Sequence, residues 1–391
     1  DNGLNYLKLR GGYGTSANFA TGYPTVTGLS LNTQGWIDTT GNTTNSFVGN
    51  PNIKPELFTE LEYGLEAKLF SRINLDFTYY TRVTKDLIIQ SAPIPLSTGA
   101  AFTGTNIGEI ESWGIEAIFD IDLLKKSDGF NWNVGVNFTQ NESNVTDIGN
   151  NDLIIYAGFT NLGNGARVGY PLGSIFGSRI ARNANGDLLV DGVGNYVSEE
   201  TDEEGILPFI GNPNPDFSMN YTNTFEYKGW SLAVAVNHTS GGDIYSTTIA
   251  TLMGRGLTTD TEDRLSTYIL PGVSQATGLP NDLQINNSNF YFDNGFASPA
   301  SELSVYDASV IRLREVSFGY SLPSKMLDKT PFGKIVFKAS AYNMWYDAYN
   351  TPDGINFDPN TTALGSGNGQ GFDYLTGPSS KRYGLSVNLS F

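Results

Sequence analysis

The chain has 391 residues, of which 13% are aromatic and 45 are glycine, while only 16% are charged, well below the quarter that is usual in soluble domains. Its 23 Lys and Arg against 40 Asp and Glu give a net charge of −17, which argues against nucleic acid as a partner, because phosphate contacts need clustered basic side chains. There is no cysteine and a single histidine, His238, so disulfide frameworks, thiolate zinc sites and a Ser-His-Asp triad are disfavoured. The abundance of strand-forming and turn-forming residues predicts an all-β protein.

Segments in which every second residue is apolar recur along the chain, and each predicts a strand with one apolar and one polar face. No stretch approaches the roughly 18 consecutive apolar residues of a spanning helix, but a spanning strand needs only about ten residues of alternating pattern. In VIRLREVSFGY the alternation changes phase between Leu313 and Val316, which predicts a bulge near Arg314 and Glu315. The other segments, in chain order, are ELEYGLEAKLF (60–70), INLDFTYY (73–80), GIEAIFDIDL (114–123), FNWNVGVNFTQ (130–140), FSMNYTNTFEY (217–227), WSLAVAVNH (230–238) and SSKRYGLSVNLSF (379–391).

The connections between these segments alternate between short and long. If every short connection lies on one side of the sheet, the chain forms about ten strands, the topology of an antiparallel transmembrane β-barrel with short periplasmic turns and long extracellular loops. Within residues 148–215, YPLGSIFGSRIARN is a candidate for one more strand, but a single added crossing breaks the parity, so we interpret this region as an outer excursion. The short connections are 71–72, 125–129, 228–229 and 323–332; the long ones are 15–55, 91–105, 148–215, 240–305 and 347–379.

Four stretches resemble, in order, the SusC/RagA group of TonB-dependent transporters. The first, NPNIKPELFTELEYGLEAKLFSRINLDFTYYTRVTKDLI (50–88), is similar to the group's Asn-Pro motif, Glu-bearing strand, tight turn and Tyr-Tyr strand. NIGEIESWGIEAIFDIDLL (106–124) and IGNPNPDFSMNYTNTFEYKGWSLAVAV (210–236) are similar to its Gly-x-Glu strand and its Gly-Asn-Pro-x-Pro hairpin. KRYGLSVNLSF (381–391) is similar to its last strand.

This resemblance implies a plugged barrel of roughly 22 strands in the outer membrane of a Gram-negative bacterium, surrounded by lipid. Residues 1–391 are then expected to form the C-terminal part of the barrel, and the plug domain and TonB-contacting segment to lie outside this chain. The implied function is TonB-dependent import of a large nutrient, a glycan oligosaccharide or a peptide, together with a SusD-like surface lipoprotein. The alternative is a surface binding or adhesion barrel without transport.

An enzymatic function is not expected. The paired carboxylates Glu60 and Glu62, or Glu109 and Glu111, are two residues apart on predicted strands, so both members of a pair lie on one wall and are interpreted as lumen charge. No cofactor is predicted. Two frames that approach an EF-hand loop are interrupted by Val193 and Leu188, and the acidic run SEETDEEG (198–205) is interpreted as a solvated loop rather than a Ca²⁺ site.

Aromatic residues in the long loops are the candidate ligand contacts, because they can stack on sugar rings or anchor peptide side chains. For any single one of them, packing of the loops is the favoured alternative. Tyr383 and Phe391 at the end of the last strand resemble the aromatic ending of bacterial outer-membrane barrels and are predicted to act in barrel assembly. The candidate ligand contacts are Trp36, Tyr156, Phe159, Trp345, Tyr346, Tyr349, Phe357, Phe372 and Tyr374.

Overall fold

The structure is a computed structural model that describes residues 3–20, 22, 24–34, 39–159, 161–293, 300–361 and 369–391. Its main feature is a sheet of ten antiparallel strands, called the wall below, in which each strand pairs with the next one of the ten along the chain, and the short strand Phe47–Val48 is added parallel to Phe102–Thr103. The prediction of about ten strands is confirmed. The strands are β1 Leu4–Asn18, β2 Glu56–Leu69, β3 Ile73–Pro93, β4 Phe102–Leu124, β5 Asn131–Asp147, β6 Phe217–Tyr227, β7 Trp230–Ser240, β8 Val310–Ser321, β9 Lys334–Asp347 and β10 Arg382–Ser390.

The connections alternate between the two ends of the wall as predicted, but the sorting by length has an exception, since 94–101 at the long-loop end is shorter than 322–333 at the short-turn end. Four short ones, 70–72, 125–130, 228–229 and 322–333, lie at one end, and 19–55, 94–101, 148–216, 241–309 and 348–381 lie at the other. β5 pairs directly with β6, so residues 148–216 add no strand to the wall and form an excursion. The loop predicted over 91–105 is too long, because β3 and β4 pair as far as Pro93 and Phe102.

The predicted bulge in β8 is present. Arg314 has no partner in β7, where pairing passes from Glu315 directly to Leu313, and the register with β9 also shifts between these two residues. Because the bulge adds one residue to β8, Leu313 and Val316 face the same side of the sheet, which explains the change of phase in the sequence.

Alternation gives the wall an apolar face and a polar face. Leu65 of β2 lies opposite Phe77 of β3 on the apolar face, and Glu66 lies opposite Asp76 on the polar face. The edge strands β1 and β10 each pair on one side only, so the wall is an open sheet among the described residues. Leu9 on one edge is 72% exposed and Leu385 on the other is 90% exposed. Ten strands of this kind have not closed into a barrel.

The buried hydrophobic clusters lie at the long-loop end, and one of them includes Ile89, Ile107 and Val145 from the ends of β3, β4 and β5. There the long connections form small sheets of their own, and residues 148–216, 241–309 and 348–381 pack together into what we call the loop cap. Their pairing is local except at two places: Leu189–Val190 runs parallel to Val273–Ser274, and Asp243–Ser246 runs parallel to Phe372–Asp373.

The remaining loop elements are short. Within the described residues, no helix has the length and apolar character needed to cross a membrane. The strands are Leu29–Gln34, Thr39–Thr44, Phe47–Val48, Ile154–Phe159, Leu162–Ala166, Ser174–Gly177, Arg179–Ile180, Ser198–Glu199, Phe209–Gly211, Thr267–Ile269, Gln284–Asn286 and Val305–Asp307. The α-helices are Thr247–Gly254 (α1) and Ser324–Leu327 (α2), the 3-10 helices are Leu96–Thr98, Thr259–Thr261 and Ser301–Ser304, and Asn289–Asp293 is a π-helical turn.

Candidate functional site

The long-loop end of β2, β3 and β4 is held together by an asparagine. The Asn106 amide donates to the carbonyl oxygens of Asp86, at 2.7 Å, and Lys54, at 2.9 Å, while its oxygen accepts the Lys54 backbone N–H at 2.8 Å. Beside it, the buried Glu56 carboxylate accepts the Ile88 N–H at 3.0 Å. The Asn-Pro, Thr-Lys-Asp-Leu and Asn-x-Gly-Glu stretches of the resemblance therefore meet at one point, where they shape the rim of the wall.

A second junction joins loops 148–216 and 241–309. The Asp243 carboxylate accepts the Asn212 N–H at 2.7 Å, and the Asp243 N–H donates to the Asn212 carbonyl at 2.7 Å. Burial raises the pKa of Asp243, and the nearby carboxylates of Asp307 and Asp216 raise it further. Gly241 precedes this junction with φ +73°, and a Cβ there would lie 2.5 Å from the Asp216 Cγ, so the Gly-Asn-Pro-x-Pro hairpin fits only against glycine.

A third junction joins loops 241–309 and 348–381 through Asp373, whose side chain is fully buried. Its carboxylate accepts the Ser246 hydroxyl at 2.7 Å and the Thr248 N–H at 3.1 Å. Ser246 is also the N-cap of α1 and accepts the Ile249 N–H at 3.1 Å. Asp373 thus stabilises the positive end of α1 and fixes the third loop to it.

A buried ion pair attaches loop 348–381 to the polar face of the wall. The Arg312 guanidinium of β8 donates to both carboxylate oxygens of Asp358, at 2.8 Å and 2.5 Å, and both side chains are only 2% exposed. Burial alone would raise the pKa of Asp358, but hydrogen bonds from Arg312 and Ser379 outweigh it and hold that pKa below its ordinary value of 3.8. The Arg312 Nε finds no hydrogen-bond partner among the described residues.

The acidic region that raised the question of calcium forms three similar turns. The side-chain oxygens of Asn183, Asp191 and Asp202 each accept the backbone N–H groups two and four residues later, at 2.9–3.0 Å. Arg167 pairs with Asp202 at 2.9 Å and with Glu204 at 3.0 Å. In the described part of the chain, no group of three metal-ligating side chains is placed to hold an ion. These oxygens shape turns.

Most of the predicted lumen carboxylates have a cationic partner on the polar face. Glu60 pairs with Arg82 at 2.5 Å, and Glu109 pairs with Lys85 at 3.1 Å. Arg10 of β1 spans two strands, contacting Glu62 at 3.3 Å as well as Glu66 and Asp76 at 2.9 Å each. A carboxylate held by a guanidinium is an acceptor without a free proton to transfer, so this arrangement suits a charged channel wall rather than acid–base catalysis.

Several predicted ligand contacts are packed within the protein. Phe357 and Phe372 are 6% and 1% exposed and belong to separate hydrophobic clusters of the loop cap. The Tyr346 hydroxyl donates to the Asn356 carbonyl at 2.9 Å, and its ring lies 5.6 Å from the Arg312 guanidinium carbon. Tyr156 packs against the cluster that includes Val145 and Ile148, and burial raises the pKa of its hydroxyl well above the ordinary value. Trp36 lies outside the described residues.

Four of the predicted contacts are exposed. Phe159 and Tyr374, 45% and 57% exposed, come from different loops and lie with their ring centroids 5.4 Å apart. The Tyr349 hydroxyl lies 3.1 Å from the His238 Nε2. Trp345 is not in a loop but in β9, opposite Leu313 on the apolar face. The structure thus brings together one exposed aromatic pair in the loop cap, Phe159 and Tyr374.

The aspartates and the arginine that join the loops were not singled out from the sequence. Arg312 stands on the polar side of the alternation in VIRLREV, and this is the one local signal that it points inward. Asp358 and Asp373 lie in irregular segments, where no period indicates their partners. Their roles depend on contacts between loops that are far apart in sequence.

Comparison with known proteins agrees with the architecture. Residues 3–247 match the family model described as TonB dependent receptor-like, beta-barrel. TonB-dependent receptor P3 of Formosa agariphila is 26% identical over 368 residues, covering 88% of this chain and 35% of the relative. TonB-dependent receptor P26 of the same organism is 27% identical over 413 residues, covering 98% of this chain and 40% of the relative.

Solved structures show the same fold. The structure of the RagAB peptide transporter matches with a TM-score of 0.70 and 20% identity, covering 100% of this chain and 41% of that chain. The RagAB peptide importer in its "open-open" state matches over the same extent with a TM-score of 0.66. The chain therefore spans about two fifths of the length of these proteins.

Proposed function

Since the chain belongs to the TonB dependent receptor-like β-barrel family, we propose that it forms part of a transporter that imports a large nutrient under the control of TonB. It is an outer-membrane protein, and its named relatives are receptors rather than enzymes. The observation that carries the proposal is the wall itself, whose polar, ion-paired inner face leads to three interlocked loops at one end only. Such a wall can line a path for a polar solute, and transport needs no reaction chemistry from it.

We propose that residues 1–391 are the C-terminal part of a barrel of roughly 22 strands, with the plug and the TonB-contacting segment supplied by other parts of the protein. Two observations support this division. The wall has a free edge at β1 and another at β10, and unpaired edges do not persist in lipid, where every backbone group needs a partner. The matched relatives are also more than twice as long as the part that matches.

The Phe159–Tyr374 pair is the candidate contact for the imported nutrient. Both rings are exposed, and they are held by loops that the Asp373 and Asn164 contacts fix to the rest of the loop cap. Ring faces held in this way can stack on a sugar or pack against an apolar peptide side chain. A SusD-like lipoprotein above the loops would complete the site, as the two-component name of the RagAB peptide transporter suggests. The substrate class remains either glycan oligosaccharide or peptide.

The test is uptake by cells whose only copy of the transporter carries Phe159→Ala and Tyr374→Ala. Labelled oligosaccharides and labelled peptides are supplied as separate panels, and uptake of one panel is expected to fall at least tenfold. Trp345→Ala is the matched control, since it removes an aromatic side chain of similar exposure from the apolar face. Removal of TonB is expected to abolish uptake but leave surface binding. Surface binding without any uptake in the wild type would favour a binding or adhesion barrel instead, and uptake that does not depend on TonB would contradict the proposal.

A further inference from the structure

The two ends of the wall differ in charge. The long connections carry most of the acidic excess of the chain, whereas the short connections are basic. Among the described residues, Lys228 takes part in no ion pair. The short-turn end is therefore a positive rim directly beside the apolar face. The charged residues of the short connections are Arg72, Lys125, Lys126, Lys228, Lys325 and Lys329 against Asp128 and Asp328.

At this rim the apolar face contains a groove of about 350 Å³. Aromatic rings form it in pairs: Phe130 stacks on Phe225 at 6.1 Å between centroids, and Trp230 stacks on Phe318 at 5.0 Å. Leu232 lines the groove between these pairs. Glu226 and Ser231 border the groove as well, but they lie opposite each other on the polar face of the alternation. The groove is thus an apolar slot whose open end is level with the short turns.

Lys228 follows Tyr227, which lines the slot, and stands on a rigid support; it also lines a neighbouring pocket with Asp128 and Glu226. It forms a two-residue turn with Gly229, in which φ is +49° and +87° respectively, and Tyr227 pairs with Trp230 across it. The Gly229 carbonyl accepts the Ser321 N–H at 2.8 Å, which ties the turn to β8. The Lys228 Nζ lies 5.2 Å from the centroid of the Tyr227 ring, which places the ammonium group on the apolar-face side of the wall.

We propose that this slot binds an anionic phospholipid of the inner leaflet, with an acyl chain between the stacked rings and the phosphate beside Lys228. Tyr and Trp side chains favour the level of lipid headgroups, so Tyr227 and Trp230 set the depth of the slot at the membrane surface. A single ammonium group on a positive rim then selects an anionic headgroup over a zwitterionic one. The proposal rests on the outer-membrane location of the chain and is independent of what the protein imports.

The experiment is fluorescence quenching of the purified full-length protein in nanodiscs that contain either phosphatidylglycerol or phosphatidylcholine brominated in the acyl chain, at equal mole fraction. The signal of Trp230 is obtained as the difference between the wild type and Trp230→Phe. We expect brominated phosphatidylglycerol to occupy the slot about fivefold more than brominated phosphatidylcholine, the ratio that corresponds to about 1 kcal/mol for one lysine near a charged surface.

Lys228→Gln is expected to remove this preference. Lys381→Gln, which neutralises a lysine at the opposite end of the wall, is expected to keep it. Circular dichroism and heat-modifiable gel mobility verify that each variant is folded. Equal quenching by the two lipids in the wild type, or a preference that survives Lys228→Gln, would overturn the proposal; a preference lost in both lysine variants would show general attraction to the protein and would overturn it too.

Discussion

Removal of one partner of the Arg312–Asp358 pair is expected to release loop 348–381 from the wall. Asp358→Ala leaves the guanidinium of Arg312 buried, and its Nε has no hydrogen-bond partner among the described residues even in the wild type. An unpaired buried charge of this kind typically costs about 3–5 kcal/mol. Since about 1.4 kcal/mol is a factor of ten, the population in which the loop is detached is expected to rise roughly 10²- to 10⁴-fold.

Hydrogen exchange of peptides from residues 348–361, followed by mass spectrometry, measures this change directly. Protection of those peptides is expected to fall by the same factor, while peptides from β2 and β3 keep theirs. Glu315→Gln is the matched control, because Glu315 lies on the same strand as Arg312 and pairs with Lys338 of β9. The two side chains are 31% and 41% exposed, and ion pairs of this exposure contribute about 1 kcal/mol or less to stability.

The double variant Arg312→Met with Asp358→Leu separates burial of charge from loss of contact. Because it removes both ions and fills the space with apolar atoms, it is expected to recover most of the lost protection. If the double variant is as unprotected as Asp358→Ala, or if Asp358→Ala has no effect, the ion pair does not hold the loop. The pH dependence has a fixed sign: the pKa of Asp358 is lowered from 3.8, so its contribution is present above that pH and is lost as the pH falls through the folded-state pKa.

Three further predictions concern the loop junctions. Gly241→Ala is expected to destabilise the junction with residues 212–216 by more than the roughly 1–2 kcal/mol of left-handed backbone strain, because the new Cβ meets Asp216. Gly205→Ala is the control for strain alone, since Gly205 has φ +78° and no atom lies within 4 Å of the position of its Cβ. Proteolysis rates of the folded protein compare the two variants. Asp243→Asn retains an acceptor for the Asn212 N–H but removes a buried charge, so resistance to proteolysis at pH 7 is expected to be equal or greater. Because the raised pKa of Asp243 makes its charged form the unfavourable one, this gain is expected to shrink as the pH falls. A clear loss of resistance would contradict this reasoning. Phe372→Ala is expected to destabilise the loop cap by about 3–5 kcal/mol, since its ring is 1% exposed, and hydrogen exchange there measures the loss. Tyr374→Ala is expected to change hydrogen exchange in the loop cap little. Similar effects of the two variants would mean that Tyr374 is structural as well.

The wall could be predicted from the sequence because its information is local. Alternation in β2, β3 and β5 fixes which side chains share a face, and the phase change around Arg314 marks the bulge without any knowledge of the neighbouring strands. The sorted lengths of the connections then fix the up-and-down order of the strands. The ends of β3 and β4 were predicted less well, because pairing continues wherever a neighbour is available, as it does between Pro93 and Phe102.

The candidate site could not be predicted to the same degree. The sequence identified a set of loop aromatics, but whether each is exposed depends on packing between segments far apart in the chain. Phe372 and Tyr374 illustrate this: they are two residues apart, and one is 1% exposed while the other is 57% exposed. Strand Phe372–Asp373 pairs with Asp243–Ser246 and places the Phe372 ring against Tyr245, whereas Tyr374 lies beyond the end of this strand.

By itself, therefore, the sequence determined the fold class, the two faces of the wall and the resemblance to a transporter family, since these depend on period, turn chemistry and short motifs. Only the tertiary structure decided which polar groups hold the loops. Arg312 and Asp358 are separated by the whole of β9, and Ser246 and Asp373 by more than a hundred residues. A buried charge or hydroxyl is stable only when a partner reaches it, and which residue reaches it is a property of the assembled loops rather than of either segment alone.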